Sequence, residues 1–206
     1  MSATPHRLTA EELCRSLAEA LAKRERWAHP RDLWVFGYGS LIWRPEIEFD
    51  RRVPARIFGY HRKLCLRSMV YRGTRDCPGL VAGLDRGGSC AGVAYRLPAG
   101  SARAQLEQLW QREMFMNSYA PRWLRAHRLD RGAPLLALAF VLRRDAINYD
   151  GRLSDDEKVA ILNRARGERG TSLEYLQHTV AALQAEGLSD PHLERLLRRA
   201  RAAAGR

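Results

Sequence analysis

Apolar residues near the N-terminus recur at helical spacing. Leu13, Leu17, Ala20 and Leu21 fall on one face, and Thr9 with Glu12 stands at capping-box spacing, so the pattern predicts a helix over 8–27. His29-Pro30-Arg31-Asp32 ends it. From Leu33 the pattern changes to short β-like runs at 34–38, 56–66, 79–84 and 92–97, punctuated by Gly, Pro and Asp, and this predicts a mostly antiparallel sheet. Gly87-Gly88 reads as a hairpin turn within it. Ser101 opens a second helix, with Leu106, Leu109 and Trp110 on its apolar side, running to about Met114. Strands are expected at 123–129 and 134–142. Helices close the chain: Ser154 with Glu157 forms another capping box, 172–186 is amphipathic, and Asp190-Pro191 places an N-cap before a proline in the first helical turn. No repeat and no linker long enough to separate two domains interrupts this order.

Composition adds limits. A chain of 206 residues, 46% hydrophobic and 28% charged, is sized for one domain with appendages. At that size roughly 70% of the unfolded surface is buried on folding, enough for a core and a closed pocket without disulfides or metals. No apolar run approaches the roughly 18 residues that span a bilayer, and the N-terminus lacks the basic-then-apolar order of a secretory signal. The expectation is a cytoplasmic protein with no membrane partner. Cys14, Cys65, Cys77 and Cys90 show no C-x-x-C spacing, so no zinc or other metal site is expected, and free thiols suit a reducing compartment.

The net charge of +12 is unevenly placed. Arg56, Arg62, Lys63, Arg67, Arg72 and Arg75 have no acid among them, and a second acid-free group of five arginines begins at Arg195. A basic surface admits nucleic acid as a partner. Against that reading, the stretch 56–75 carries no recognisable RNA-binding motif and few aromatics, namely Phe58, Tyr60 and Tyr71.

Three segments could carry chemistry. In Val35-Phe36-Gly37-Tyr38-Gly39-Ser40-Leu41-Ile42-Trp43 an apolar strand runs into two glycines. The spacing suits a plain turn, and equally a concavity of amide N–H groups that receives an anion or a developing oxyanion. Glu113 ends an apolar helix and precedes Met114, Phe115 and Met116. It reads either as a solvated carboxylate paired with Arg112 or as a desolvated general base. Arg72, in Tyr71-Arg72-Gly73-Thr74, could fork onto a substrate carboxylate.

Taken in series these segments resemble the ChaC family of glutathione-specific γ-glutamylcyclotransferases. The resemblance rests on 35–43, Gly59-Tyr60-His61-Arg62, Arg67-Ser68, Tyr71-Arg72-Gly73-Thr74, Pro78-Gly79-Leu80-Val81 and Gly92-Val93-Ala94-Tyr95-Arg96-Leu97. Downstream it continues through Arg112-Glu113, Tyr149 before Gly151 and Leu153, and Glu174-Tyr175-Leu176. It covers about 33–197, leaving 1–32 as an N-terminal helical extension and 198–206 as an Arg-rich tail.

The resemblance implies an α+β fold, with a small mixed β-barrel and flanking helices. It implies a cofactor-free lyase that converts glutathione, its small-molecule partner, to 5-oxoproline and cysteinylglycine. Gly37, Tyr38, Gly39, Ser40, Leu41 and Ile42 would then hold the γ-glutamyl group. Glu113 would be the general acid/base, since Arg112-Glu113 matches the family's Arg-Glu pair and neither Asp85 nor Glu107 does. Arg72 becomes a candidate carboxylate clamp, Tyr149 and Tyr175 candidate hydroxyl contacts, and the basic stretch 56–75 a source of attraction for an anionic peptide. The rival expectations are a cyclotransferase for other γ-glutamyl compounds, and a non-enzymatic module that binds RNA or regulates a cation transporter.

Overall fold

Strand β1 (Leu33–Gly37) has both faces covered, which is why its sequence is an unbroken apolar run. Trp34 and Phe36 point into a core with Val53, Ile57, Ala94 and Ala137, whereas Val35 packs outward among Leu106, Leu109 and Trp110. The computed structural model describes residues 7–25 and 32–205. In it β1, β2 (Arg51–Ser68), β3 (Gly79–Leu97), β4 (Tyr119–Arg128) and β5 (Leu135–Leu142) form a closed barrel of strand order β1-β3-β2-β4-β5. Closure comes from parallel pairing of β1 with β5, Trp34 against Ala137 and Val35 against Leu138. The other long ladders are antiparallel. The barrel is therefore mixed, and the fold is α+β.

The strands at 79–84 and 92–97 are one strand, and Gly87-Gly88 is not a hairpin turn. Gly59, Gly87 and Gly88 all have positive φ (84°, 98° and 68°), and the β2–β3 register shifts between Phe58 and Tyr60. The glycines form a bulge that bends two strands of 18 and 19 residues without ending them. On one side of the bulge the pair closes the barrel against β4. On the other, 60–68 and 79–86 run on as an arm, and the loop 69–78 joins them at its tip.

Helices cover this frame on two sides. α1 (Ala10–Glu25) begins at the reciprocal Thr9–Glu12 capping box and buries Leu17 and Ala20 beside α3 (Ala102–Glu113). Trp110 Nε1 donates to Ser16 Oγ at 2.8 Å, and Trp123 Nε1 to the Ala20 carbonyl at 2.7 Å. The expected helix end at 26–27 and the break at 29–31 lie outside the described residues. On the arm lie α4 (Asp155–Arg164), α5 (Ser172–Ala185) and α6 (Pro191–Ala204), with Leu64 and Ala82 packed on Leu162, Tyr175, Leu176 and Leu193. Capping boxes at Ser154–Glu157 and Thr171–Glu174 start α4 and α5, and Asp190 caps α6. α6 runs unbroken across the boundary expected at 197/198, burying Leu196, Leu197 and Ala200. Between α4 and α5 a small hairpin, β6 (Arg166–Gly167) with β7 (Gly170–Thr171), is bonded to the loop at the arm tip by Glu168 N to Val70 O and Arg169 N to Tyr71 O. The remaining helix, α2 (Ser40–Trp43), is a single turn directly after β1.

Candidate active site

A cavity of about 170 Å³ opens where α2, the end of α3, the start of β4, α5 and the loop 69–72 meet. Glu113 is the last residue of α3 and the only carboxylate on the cavity wall among the described residues. The burial of Leu106, Leu109 and Trp110 fixes the helix, and Asn117, with φ of 52°, turns the chain back into β4. Glu113 retains 16% side-chain exposure. Burial pushes its carboxyl pKa up; the Arg112 guanidinium, with Nε 3.0 Å from Oε1, opposes that rise, and Glu46 adds to it. Arg112 also donates to the carbonyls of Arg44 and Pro45, to Glu46 Oε2 and to Ser40 Oγ. It thus ties the carboxylate to the glycine loop and to the chain that follows.

The glycine loop is held on all sides. Tyr38 OH donates to Phe140 O at 2.9 Å, Tyr95 OH to Ile42 O at 3.2 Å, and Arg62 Nε to Tyr38 O at 2.5 Å. Of the six expected loop residues, Tyr38, Gly39, Ser40 and Leu41 reach the cavity. Gly37 and Ile42 are not on its wall; Gly37 lies against Leu41 and Tyr95, and Ile42 packs among Val93, Tyr95 and Leu183.

Gly39 is required by a close approach. A Cβ there would stand 2.7 Å from Tyr175 OH, which itself accepts from Ala82 N at 3.2 Å. Gly39→Ala is therefore expected to cost about 1–3 kcal/mol, as overpacking does. Removing the hydroxyl in Gly39→Ala/Tyr175→Phe should make the double variant less destabilised than the sum of the two single changes. Urea denaturation of all three variants measures this, and strictly additive losses would rule out the clash.

Arg72 and Tyr175 both line the cavity. The Arg72 side chain is 7% exposed, with its guanidinium over the rings of Trp43 and Tyr175, 5.5 and 5.8 Å from their centroids. Among the described residues its guanidinium makes one hydrogen bond, to Thr171 O at 3.3 Å, and its nearest carboxylate, Glu174, is 3.9 Å away. Burial lowers its pKa, as expected of a guanidinium short of partners. Tyr149 is placed differently from the expectation. It does not line the cavity; its hydroxyl donates to Asp85 Oδ2 at 3.1 Å, and Arg144 Nε binds the other oxygen of Asp85 at 2.6 Å. A tyrosine already committed to a buried carboxylate is not a free substrate contact.

The structure brings in residues with no sequence signal. Tyr119, at the start of β4, lines the cavity with Tyr38, and both hydroxyls have pKa values pushed well up by burial, with Glu113 adding to the rise. Arg44, Arg112 and Arg169 join Arg67 and Arg72 on the wall, so five arginines face one carboxylate. The expectation that the whole stretch 56–75 serves the pocket is corrected here. Of its six basic residues only Arg67 and Arg72 line the cavity. Arg62 is buried on Asp190, Lys63 donates to Gly151 O, and Arg56 donates to Ser89 Oγ.

Comparison with known proteins gives the family and the fold. The model of the ChaC-like protein family matches residues 33–203. A glutathione-specific γ-glutamylcyclotransferase of Escherichia coli K12 is 35% identical over 189 residues, covering 92% of this chain and 80% of that one. The enzyme of the same name from Schizosaccharomyces pombe is 35% identical over 165 residues, 70% of this chain and 79% of the relative. Among solved structures, a yeast γ-glutamyl cyclotransferase specific to glutathione superposes with a TM-score of 0.76 at 24% identity, over 84% of this chain and 96% of that one. That likeness carries the barrel and its helices, and the sequence matches span both the glycine loop and the Arg112-Glu113 pair; the chain belongs to the ChaC-like protein family.

Proposed function

We propose that this chain cleaves the γ-glutamyl bond of glutathione by intramolecular cyclisation, giving 5-oxo-L-proline and L-cysteinylglycine, with Glu113 as general acid/base. The observation that carries the proposal is a lone, largely buried carboxylate of raised pKa in a cavity lined by five arginines. An anionic peptide is drawn into such a site. Its γ-glutamyl α-amine can then attack its own γ-carbonyl.

The chemistry needs no external nucleophile and no cofactor. Glu113 takes a proton from the α-ammonium, and the freed amine forms the new N–C bond of a five-membered ring. As the C–N bond to cysteine breaks, Glu113 returns the first proton to the departing amine and then relays to it the second proton of the ring nitrogen, leaving a lactam N–H and an ammonium. Tyr38, Gly39, Ser40 and Leu41 line the wall where the γ-glutamyl group folds back, with loop N–H groups as candidate donors to the oxyanion. Arg72 is the clamp for the γ-glutamyl α-carboxylate, and Tyr175 braces both Gly39 and Arg72. The products separate this reaction from hydrolysis. Cyclisation yields 5-oxoproline and cysteinylglycine in equal amounts, whereas hydrolysis would yield free glutamate, and finding glutamate would overturn the proposal.

A raised Glu113 pKa gives the pH dependence a sign. The carboxylate form is the base, so kcat/KM should rise with pH along a limb lying above the usual carboxylate range. Stability runs the opposite way. Between the unfolded and the raised folded pKa the native state binds more protons, so Glu113's favourable contribution is lost as pH rises through the folded pKa. The Tm of Glu113→Gln minus that of wild type should accordingly grow with pH over that window. A constant difference would mean that the Glu113 pKa is not raised on folding.

The second reading, a cyclotransferase for other γ-glutamyl compounds, shares every atom of this chemistry and is separated by competition between glutathione and γ-glutamyl amino acids. An RNA-binding role has less support, because Arg62 and Arg72 are buried and Arg67 is paired with Asp150. Among the described residues no helix is long and apolar enough to cross a membrane. Cys65 and Cys90 are buried free thiols, in keeping with a cytoplasmic protein.

A further inference from the structure

Five arginines line the cavity, yet they do not have equal numbers of donors to offer a ligand. Arg112 is fully engaged by Glu113, Glu46, Ser40 and two carbonyls. Arg67 is bound to Asp150 through both Nε and Nη2. Arg72 lies deep, between two rings. Arg44 and Arg169 remain, and their side chains are 42% and 36% exposed, at the mouth.

Both mouth arginines face Glu46. Arg44 reaches Glu46 Oε1 through Nε alone, at 2.5 Å. Arg169 Nη1 stops 4.0 Å from Glu46 Oε2, beyond hydrogen-bond distance, while its guanidinium lies 4.1 Å from the centroid of the Tyr71 ring. Most donors of both forks are thus unused by the protein among the described residues. The stacking and the β6–β7 turn hold Arg169 in place, its backbone N bonded to Tyr71 O at 2.9 Å. Such a pair is prepared for a second carboxylate.

The position suits one particular carboxylate. Arg112 touches Glu113 on one side and Glu46 on the other, at 3.0 and 2.9 Å. The mouth arginines therefore lie one guanidinium and one carboxylate away from the general base. They stand farther from Glu113 than Arg112 does, so a carboxylate they bind belongs to the far end of a substrate and not to its γ-glutamyl end. In glutathione the glycine carboxylate stands two residues beyond the scissile bond, and in γ-glutamylcysteine the terminal carboxylate stands only one beyond.

We propose that Arg44 and Arg169 form the subsite for the C-terminal carboxylate of a γ-glutamyl tripeptide, and that this subsite sets the preference for glutathione over shorter or capped γ-glutamyl compounds. The inference rests on the cyclotransferase reading. Glu46 is the resident counter-charge of both forks.

The test compares kcat/KM for 5-oxoproline release from glutathione and from its glycine carboxamide. Wild type should favour the free acid by about 10–100-fold, the range for one charge-assisted, two-pronged contact. In Arg169→Met the ratio should fall through a raised KM for glutathione, in Arg44→Met/Arg169→Met it should approach unity, and Arg169→Lys should fall between. Arg198→Met, which removes one positive charge from α6, controls for diffuse attraction and should keep the wild-type ratio. A wild-type ratio near one, or a ratio preserved in the double variant, would overturn the subsite alone. No 5-oxoproline from either substrate with wild type would instead overturn the cyclotransferase reading, and the subsite with it.

Discussion

Arg62→Met is expected to destabilise the fold by about 3–5 kcal/mol, the range for removing one partner of a buried ion pair. The Arg62 side chain is 2% exposed, and its guanidinium joins three parts of the structure. Nε donates to Tyr38 O in the glycine loop, Nη2 donates to Ala91 O on β3, and Nη1 lies 2.7 Å from Asp190 Oδ2 at the start of α6. Asp190 also accepts from Leu193 N as the helix cap. Methionine matches the length of the arginine stem, but it leaves a carboxylate and two carbonyls without their donor. For a chain of this size the loss corresponds to a Tm lower by roughly 6–20 °C. Adding Asp190→Asn tests the assignment, because the double variant should lose less than the sum of the two singles. A Tm within 2 °C of wild type for Arg62→Met would show that the network carries no such energy.

Glu113→Gln is expected to lower kcat/KM for glutathione by about 10²- to 10⁴-fold, the usual contribution of a positioned acid/base. The α-ammonium of a peptide has a pKa near 8 and an unperturbed glutamate one near 4.3, a gap of about 3.7 units or roughly 5 kcal/mol against proton transfer. Desolvation at the end of α3 narrows that gap by raising Glu113, and Arg112 limits the rise so that the group still ionises. Glutamine keeps the shape and can still receive the Arg112 contact through its carbonyl, so the fold and KM should change little. It cannot accept the proton. Any residual turnover should also lose the acid limb that Glu113 imposes on wild type. A loss confined to KM would assign Glu113 to substrate binding and remove it from the chemistry.

Local signals made part of this account legible in the sequence. The capping boxes at Thr9–Glu12 and Ser154–Glu157, the Asp190 cap and the apolar side of α3 each depend on residues within one or two turns, and each stands in the structure at the expected place. Glu113 and the loop from Tyr38 to Leu41 share one cavity. The ordered motifs of the family resemblance, and not the spacing of any single one, had singled them out.

What the sequence concealed was non-local. Parallel pairing of β1 with β5 joins segments about a hundred residues apart and leaves no local trace. Gly87-Gly88 has the composition of a hairpin turn, and only the facing Gly59 and the shifted register make it a bulge. Tyr149 has a hydroxyl and a motif position, but the buried Asp85 claims it. Arg44, Tyr119 and Arg169 enter the cavity from a loop, a strand start and a two-residue hairpin, none of which has a periodicity that marks a wall residue. The basic stretch 56–75 misled for a related reason. Alternation along β2 sends neighbouring cations to different places, so charge adjacent in sequence is not charge adjacent in space.

The central claim is that glutathione is cyclised here by a single buried carboxylate. Its most direct test is 5-oxoproline release from glutathione by wild type and by Glu113→Gln side by side, with each protein's Tm recorded. The account predicts 5-oxoproline and cysteinylglycine in equal amounts from wild type, and a rate at least 100-fold lower from a variant that melts as a folded protein. Equal rates from the two folded proteins would contradict it.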